Sequence, residues 1–314
     1  MSGCASSVIL VRPTGFGFDP ETANSNGFQR QLEGVDLERR AAEEFDGLLD
    51  VLRNCGIGIT VLDPMDPRAP NGVFPNNWFS THADGTIVLY PMATPSRRAE
   101  RDPDLGRELE RAGFAPTRVV DLSAWEHKGM ILEGTGSLVI DRPLRTAFAC
   151  LSPRTTETAL REWATRMRHT AVAFTATMDG RINGEPVYHT NVVMTIGEHF
   201  AVCCFEAMPY PADRQEVDDE LRRLGKEVIP ITLAQMRRYV GNMLELRGRS
   251  LKQPLEPANY LLLSETAFEA LWPEQRLALQ KYVQLVPVPV PTIEAVGGGG
   301  VRCMLAENFL PKAV

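Results

Sequence analysis

Five residues of the 314-residue chain stand at similar places in five short segments. They are Asn77, Glu133, His189, Asn242 and Cys303, separated by 56, 56, 53 and 61 positions. A thiol, an imidazole and a carboxylate drawn from separate segments are the ingredients of nucleophilic catalysis. The ionised thiol attacks, the imidazole moves protons, and the carboxylate orients or charges the assembly. Taken singly, a Cys in a Gly-rich stretch or an interior His is an ordinary structural residue. Their shared position in a repeat is what joins them into one candidate centre.

The segments carrying them are PNNWFSTH (75–82), EGTGSLVID (133–141), YHTNVVMTI (188–196), GNMLELRG (241–248) and GGGGVRCML (297–305). Each reads as a strand that opens through a polar or Gly-rich turn. Further β-type runs lie at 87–90, 137–140, 147–151, 191–196, 200–205 and 260–263. Leu37, Ala41, Phe45, Leu48 and Leu52 predict a helix ended by Gly56. Others are expected over 102–112 and 213–224, after Ser152-Pro153 as N-cap and first helical residue, and from Ser264, broken at Pro273. The order repeats as strand, strand, helix, strand. A period of this length indicates repeat architecture.

The last unit stops after its first strand, whereas the start of the chain has a strand at 7–11 and a helix but no leading strand. Joining the two ends completes a fifth unit and protects the sheet edges. The expectation is one domain over residues 1–314: a five-unit pseudo-symmetric α/β propeller closed by N- and C-terminal strands. The competing fold, a doubly wound parallel sheet, does not accommodate a tight hairpin in every unit. Leading strands that converge on the axis would bring the five marker residues to one cavity.

Composition narrows the class. The chain is 44% hydrophobic, and its charge is 33 − 40 = −7, which marks an ordinary globular protein. It lacks the apolar run of about 18 residues that a membrane span needs. With a net acidic charge and no Lys/Arg-dense stretch, it is a poor candidate for nucleic-acid binding. A short apolar run without a basic leader argues for a cytoplasmic protein, where its six cysteines would remain thiols. No CxxC pair occurs and the five histidines are scattered, so no metal site and no cofactor is expected. Gly297–Gly300 lacks the Lys-Ser/Thr ending of a phosphate-binding loop, and close backbone approach beside Cys303 explains it better.

The chain also resembles the guanidine-modifying (pentein) superfamily, closest to the arginine-deiminase-related citrulline-utilisation hydrolases. The likeness runs through VRPTGFGFDPETANSNGFQ (11–29), FPNNWFSTHADG (74–85), VLYPMATPSRRAER (88–101), LEGTGSLVIDR (132–142), LSPRT (151–155), YHTN (188–191) and GGGGVRCMLAENF (297–309). It implies a propeller fold and places nucleophile, proton carrier and carboxylate on Cys303, His189 and Glu133. It also implies that Arg154, in an SxRT-like segment, holds the substrate α-carboxylate through a bidentate fork. Arg97 and Arg101 are further candidates for substrate contact. Arg302, next to Cys303, is expected to alternate outward and to lower the thiol's pKa.

The departures from arginine deiminase point to substrate. Those enzymes carry FxRD and HxD segments, whose aspartates bind a guanidinium. The corresponding stretches here are Phe79-Ser80-Thr81-His82 and His189-Thr190-Asn191. A buried guanidinium without carboxylates would cost several kcal/mol. A neutral ureido group needs only partners such as Asn77, His82 and Asn191. Asp84-Gly85, near the lost aspartate, reads as a hairpin turn. The expectation is a cysteine hydrolase acting on a small molecule, citrulline or a related amino acid, with no nucleic acid or membrane partner and with a homo-oligomer left open. The alternatives are an arginine deiminase, methylarginine hydrolase or amidinotransferase, and a non-catalytic amino-acid-binding propeller.

Overall fold

A computed structural model describes residues 3–250 and 256–313. Strands β1 (Ser7–Val11) and β2 (Gly58–Leu62) pair in parallel. A parallel pair requires a crossover, and the helix Leu37–Asn54 supplies it. Its stripe of Ala41, Phe45, Leu48, Leu49 and Leu52 is buried against the sheet. Asp36 caps its first turn by accepting from the Arg39 amide.

The same plan recurs in the next four units. Strands β3 (Phe79–Thr81), β4 (Thr86–Leu89) and β5 (Arg118–Asp121) form the second sheet. The third contains β6 (Val139–Asp141), β7 (Thr146–Cys150) and β8 (Thr170–Phe174). The fourth contains β9 (Met194–Ile196), β10 (Phe200–Cys203) and β11 (Glu227–Pro230). The fifth contains β12 (Leu244–Arg249), β13 (Pro257–Ser264) and β14 (Gln284–Val288). In each, the middle strand pairs antiparallel with the strand before it and parallel with the strand after its helix.

Closure is as the chain ends suggest. The short C-terminal strand β15 (Ala306–Glu307) pairs antiparallel with β1, Val8 opposite Glu307 and Ile9 opposite Ala306. The result is five three-stranded sheets, the first built from both ends of the described chain. Apolar clusters fill the space between sheets and helices, with Trp163 and Phe148 among the fully buried side chains.

Two local expectations need correction. The helix after β7 begins at Glu157, with Thr156 before it, rather than at Pro153. Residues 152–155 form a tight turn instead: the Thr155 amide donates to Ser152 O, and the Ser152 amide to Thr155 O. That pairing holds Ser152 out of a helix start. The marker segments also do not open as strands. Asn77, Glu133, His189 and Cys303 sit on or immediately before single helical turns, 75–77, 134–137, 190–193 and 301–304, and for the middle two the strand follows only at Val139 and Met194.

Candidate active site

These single turns pack against one another and bring the marker side chains together. Two glycines make the packing of 134–137 feasible. Gly134 has φ +49, and a Cβ there would lie 2.3 Å from Asn76 O. A Cβ on Gly136 would lie 2.4 Å from Asn77 Nδ2 and 2.8 Å from His189 Nδ1. The EGTGS segment therefore lets its backbone lie directly against two site residues.

Glu133 and His189 form the centre of the site, both essentially without solvent exposure. His189 Nε2 donates to Glu133 Oε2 at 2.7 Å, and the Ala93 amide donates to Glu133 Oε1 at 3.0 Å. Burial works to raise the Glu133 pKa, but Arg154, the His189 hydrogen bond and Arg97 outweigh it and hold the carboxyl down to about 2. Burial lowers the His189 pKa to about 4 despite the pull of Glu133. The resting pair is a carboxylate and a neutral imidazole. Because the carboxylate can only accept, Nε2 carries the proton and Nδ1 is the basic nitrogen.

Cys303 is buried among amides. Asn242 Nδ2 donates to its Sγ at 3.3 Å and Asn191 Nδ2 at 3.5 Å. Burial pushes the thiol up, opposed by the Asn242 hydrogen bond and by the Arg302 and Arg97 charges. The resting thiol therefore keeps its proton until substrate and base take part. Asn191 Oδ1 is buried without a hydrogen-bond partner among the described residues, so one acceptor of the site is still uncommitted.

Arginines surround these groups. Arg97, only 3% exposed, pairs with Glu100 at 2.6 Å and donates from Nη2 to Asn77 Oδ1 at 3.0 Å. Arg154 Nη1 lies 3.6 Å from Glu133 Oε2, while its Nε and Nη2 donate to Ser25 Oγ and its Nη2 to Thr22 O. That ties the segment 19–29 across the site. Asn26 Nδ2 donates to Gly298 O at 3.3 Å and Gln29 Nε2 to Val296 O at 3.2 Å, fastening the same segment to the turn before Cys303. Tyr188 OH also donates to Gly298 O, at 2.6 Å.

The sequence matches the family described as N,N dimethylarginine dimethylhydrolase, eukaryotic, over residues 12–310. The chain belongs to this family. No curated protein sequence matches it significantly. Among solved structures, the N-terminal domain of ArgZ, an arginine dihydrolase from the ornithine-ammonia cycle in cyanobacteria, is similar with TM-score 0.71 and 13% identity, covering 95% of this chain and 96% of that one. Full-length ArgZ is matched over only 41% of its own length. A dimethylarginine dimethylaminohydrolase is similar with TM-score 0.64 and 16% identity, covering 97% of this chain and 100% of that one. The protein is accordingly a hydrolase of the guanidine-modifying (pentein) superfamily, acting on carbon–nitrogen bonds other than peptide bonds.

Within this dimethylarginine dimethylhydrolase family member, the structure gathers Asn77, Glu133, Arg154, His189, Asn191, Cys303 and Arg97 into one site. Two expected members lie elsewhere. His82 stands at the far end of β3, in the hairpin where its amide donates to Thr86 O and its Nε2 lies 3.1 Å from Ser80 Oγ. A strand advances roughly 3.3 Å per residue, so the run from Asn77 carries His82 out of the centre. Arg101 is turned away to Glu126 Oε1 and Tyr90 O, both at 2.7 Å. Arg302 is 6% exposed rather than outward, and donates to Leu305 O and Thr135 O.

Asn242, one of the five markers but without an expected role, stands against Cys303 Sγ. Asn26 and Tyr188, which reach the Gly297–Gly300 stretch from distant segments, were not among the expected site residues. Among the described residues, one group could hold a metal ion: Cys4, Glu198 and Glu245. Glu245 already accepts from the Glu198 amide and from Asn259, and Glu198 accepts from Asn259 as well.

Proposed function

We propose that the protein hydrolyses citrulline to ornithine, ammonia and carbon dioxide through a covalent bond to Cys303. The observation that carries this reading is the amide environment of Sγ. The side chains within hydrogen-bond reach of it are Asn191 and Asn242, and the uncommitted Asn191 Oδ1 can accept from a ureido NH₂. A guanidinium at the same place would surrender its hydration to neutral partners. The carboxylate of Glu133 is already matched to His189 and Arg154.

In this mechanism His189 takes the Cys303 proton as the sulfur attacks the ureido carbon. The ornithine nitrogen leaves with that proton and a carbamoyl thioester remains. One water, deprotonated by His189, cleaves the thioester and regenerates the thiol, and the carbamate released decomposes to ammonia and carbon dioxide. Glu133 holds His189 in orientation and stabilises its transient charge. Arg154 and Arg97 are the cations that receive the substrate α-carboxylate.

Arginine is the competing substrate. It is favoured by the fold likeness to ArgZ and to AgrE, the latter 15% identical and solved as a mutant in complex with L-arginine. Incubation with citrulline, arginine and N,N-dimethylarginine, following ornithine, citrulline and ammonia, separates the readings. Ornithine formed from citrulline, with little reaction of the other two, is expected. Conversion of arginine or dimethylarginine at a comparable rate overturns the assignment.

A further inference from the structure

The hairpin ends of the second and third sheets border a cavity of about 650 Å³. Arg118, Arg142, Arg145, Arg166 and Arg168 line it, with His82 and His169, against the single carboxylate of Asp84. This is a strongly positive concavity on a chain whose net charge is −7. It lies at the hairpin ends of β3 and β6, whereas Asn77 and Glu133 precede those strands, so it is distinct from the Cys303 site.

Three of the five arginines already have partners: Arg118 with Asp84 at 3.5 Å, Arg142 with Glu307 at 3.2 Å and Arg166 with Glu162 at 2.8 Å. Arg145 and Arg168 form no ion pair or side-chain hydrogen bond among the described residues. These two have φ of 51° and 55°, a left-handed conformation shared by only one other non-glycine residue described, Tyr239. Glycine would occupy either position without strain. Arginine there contributes nothing to the turn itself, and what it adds is a guanidinium at the rim of the cavity. Burial lowers the pKa of both histidines, with Arg142 acting in the same direction on each and the Met167 carbonyl opposing it at His169.

We propose that this cavity binds a small phosphorylated molecule. Planar guanidinium forks match phosphate oxygens in bidentate fashion, and Arg145 and Arg168 are the two forks left unpaired to do so. The concave shape and the acidic remainder of the chain favour a small ligand over a nucleic acid, whose phosphates need an extended basic track.

The test uses the full chain at fixed ionic strength, titrated with inorganic pyrophosphate, ATP, citrate and a short single-stranded RNA, with binding read by calorimetry. Saturable binding of pyrophosphate or ATP, weakened at least tenfold in the Arg145→Gly/Arg168→Gly variant, is expected. That variant should keep its melting temperature or raise it, and keep the basal turnover, because it relieves two left-handed arginines far from Cys303. Absence of saturable binding by both phosphates, equal binding by the variant, or tighter binding of citrate or RNA than of either phosphate overturns the proposal.

Discussion

His189 and Glu133, 56 residues apart, share a 2.7 Å hydrogen bond in the interior of the protein. That bond fixes which imidazole nitrogen is basic, since Nε2 is spent on the carboxylate and Nδ1 is left beside Gly136 and Asn77. The relationship depends on a backbone without a side chain at position 136.

Gly136→Ala should therefore impair catalysis without unfolding the protein. The added methyl would stand 2.8 Å from His189 Nδ1 and 2.4 Å from Asn77 Nδ2, so both must move. Displacement of about 1 Å at a reacting group can lower the rate by roughly 10²-fold. Steady-state kinetics and a thermal melt should show a large fall in kcat with a small fall in Tm. Wild-type kcat would contradict the placement.

Stability should fall with acid in a window to which His189 and His82 both contribute, and His189 is the member at the site. Its folded pKa, about 4, lies below the ordinary value near 6.5. Between these values the unfolded chain binds the proton and the folded one does not. The contribution is complete above about 6.5 and is lost as pH falls towards 4. Glu133, held down to about 2, adds a second loss below the ordinary carboxylate range near 4.3. Denaturant unfolding from pH 7 to 4 should show this slope, and His189→Gln should reduce it, leaving the part due to His82, which burial holds down to about 3. An unchanged slope in the variant would place the titration elsewhere.

Arg154 and Arg101 provide a paired comparison. Arg154→Lys removes the fork that reaches Ser25 and Thr22 and stands beside Glu133, and an ammonium cannot reproduce it. KM for citrulline should rise about tenfold, with a fall in kcat as Glu133 loses its partner. Arg101→Lys, whose contacts are Glu126 and Tyr90 O, should leave KM within about twofold on the scale where 1.4 kcal/mol is tenfold. Equal effects would argue against the assignment of Arg154 to substrate.

Much of the architecture was legible because repeat spacing and the unfinished chain ends are properties of sequence order. Cys303, His189 and Glu133 came from that same order. His82 did not belong with them, because alignment with an aspartate-bearing motif says nothing of how far a strand carries the chain beyond its turn. Arg101 failed for a related reason: a buried carboxylate, Glu126, lies 25 residues away and claims it. Asn26 and Tyr188 reach Gly298 from segments 272 and 110 residues distant, contacts that no local periodicity encodes.

Asn191→Asp should convert the amide beside Sγ into a charge. A carboxylate 3.5 Å from sulfur disfavours the thiolate and attracts a cation. Citrulline turnover should drop by at least about tenfold, while arginine gains affinity. His82→Asp, at the far hairpin, should change neither. A specificity change from His82→Asp alone would restore that residue to the pocket.

The covalent bond between Cys303 and the ureido carbon can be captured. Rapid acid quench during citrulline turnover, followed by peptide mass spectrometry, tests it directly. One carbamoyl group is expected on the peptide containing Cys303 and none on those containing Cys4, Cys55, Cys150 or Cys203-Cys204, with turnover abolished in Cys303→Ala. Turnover of citrulline that persists in Cys303→Ala, with no adduct on Cys303 in the native protein, would contradict it.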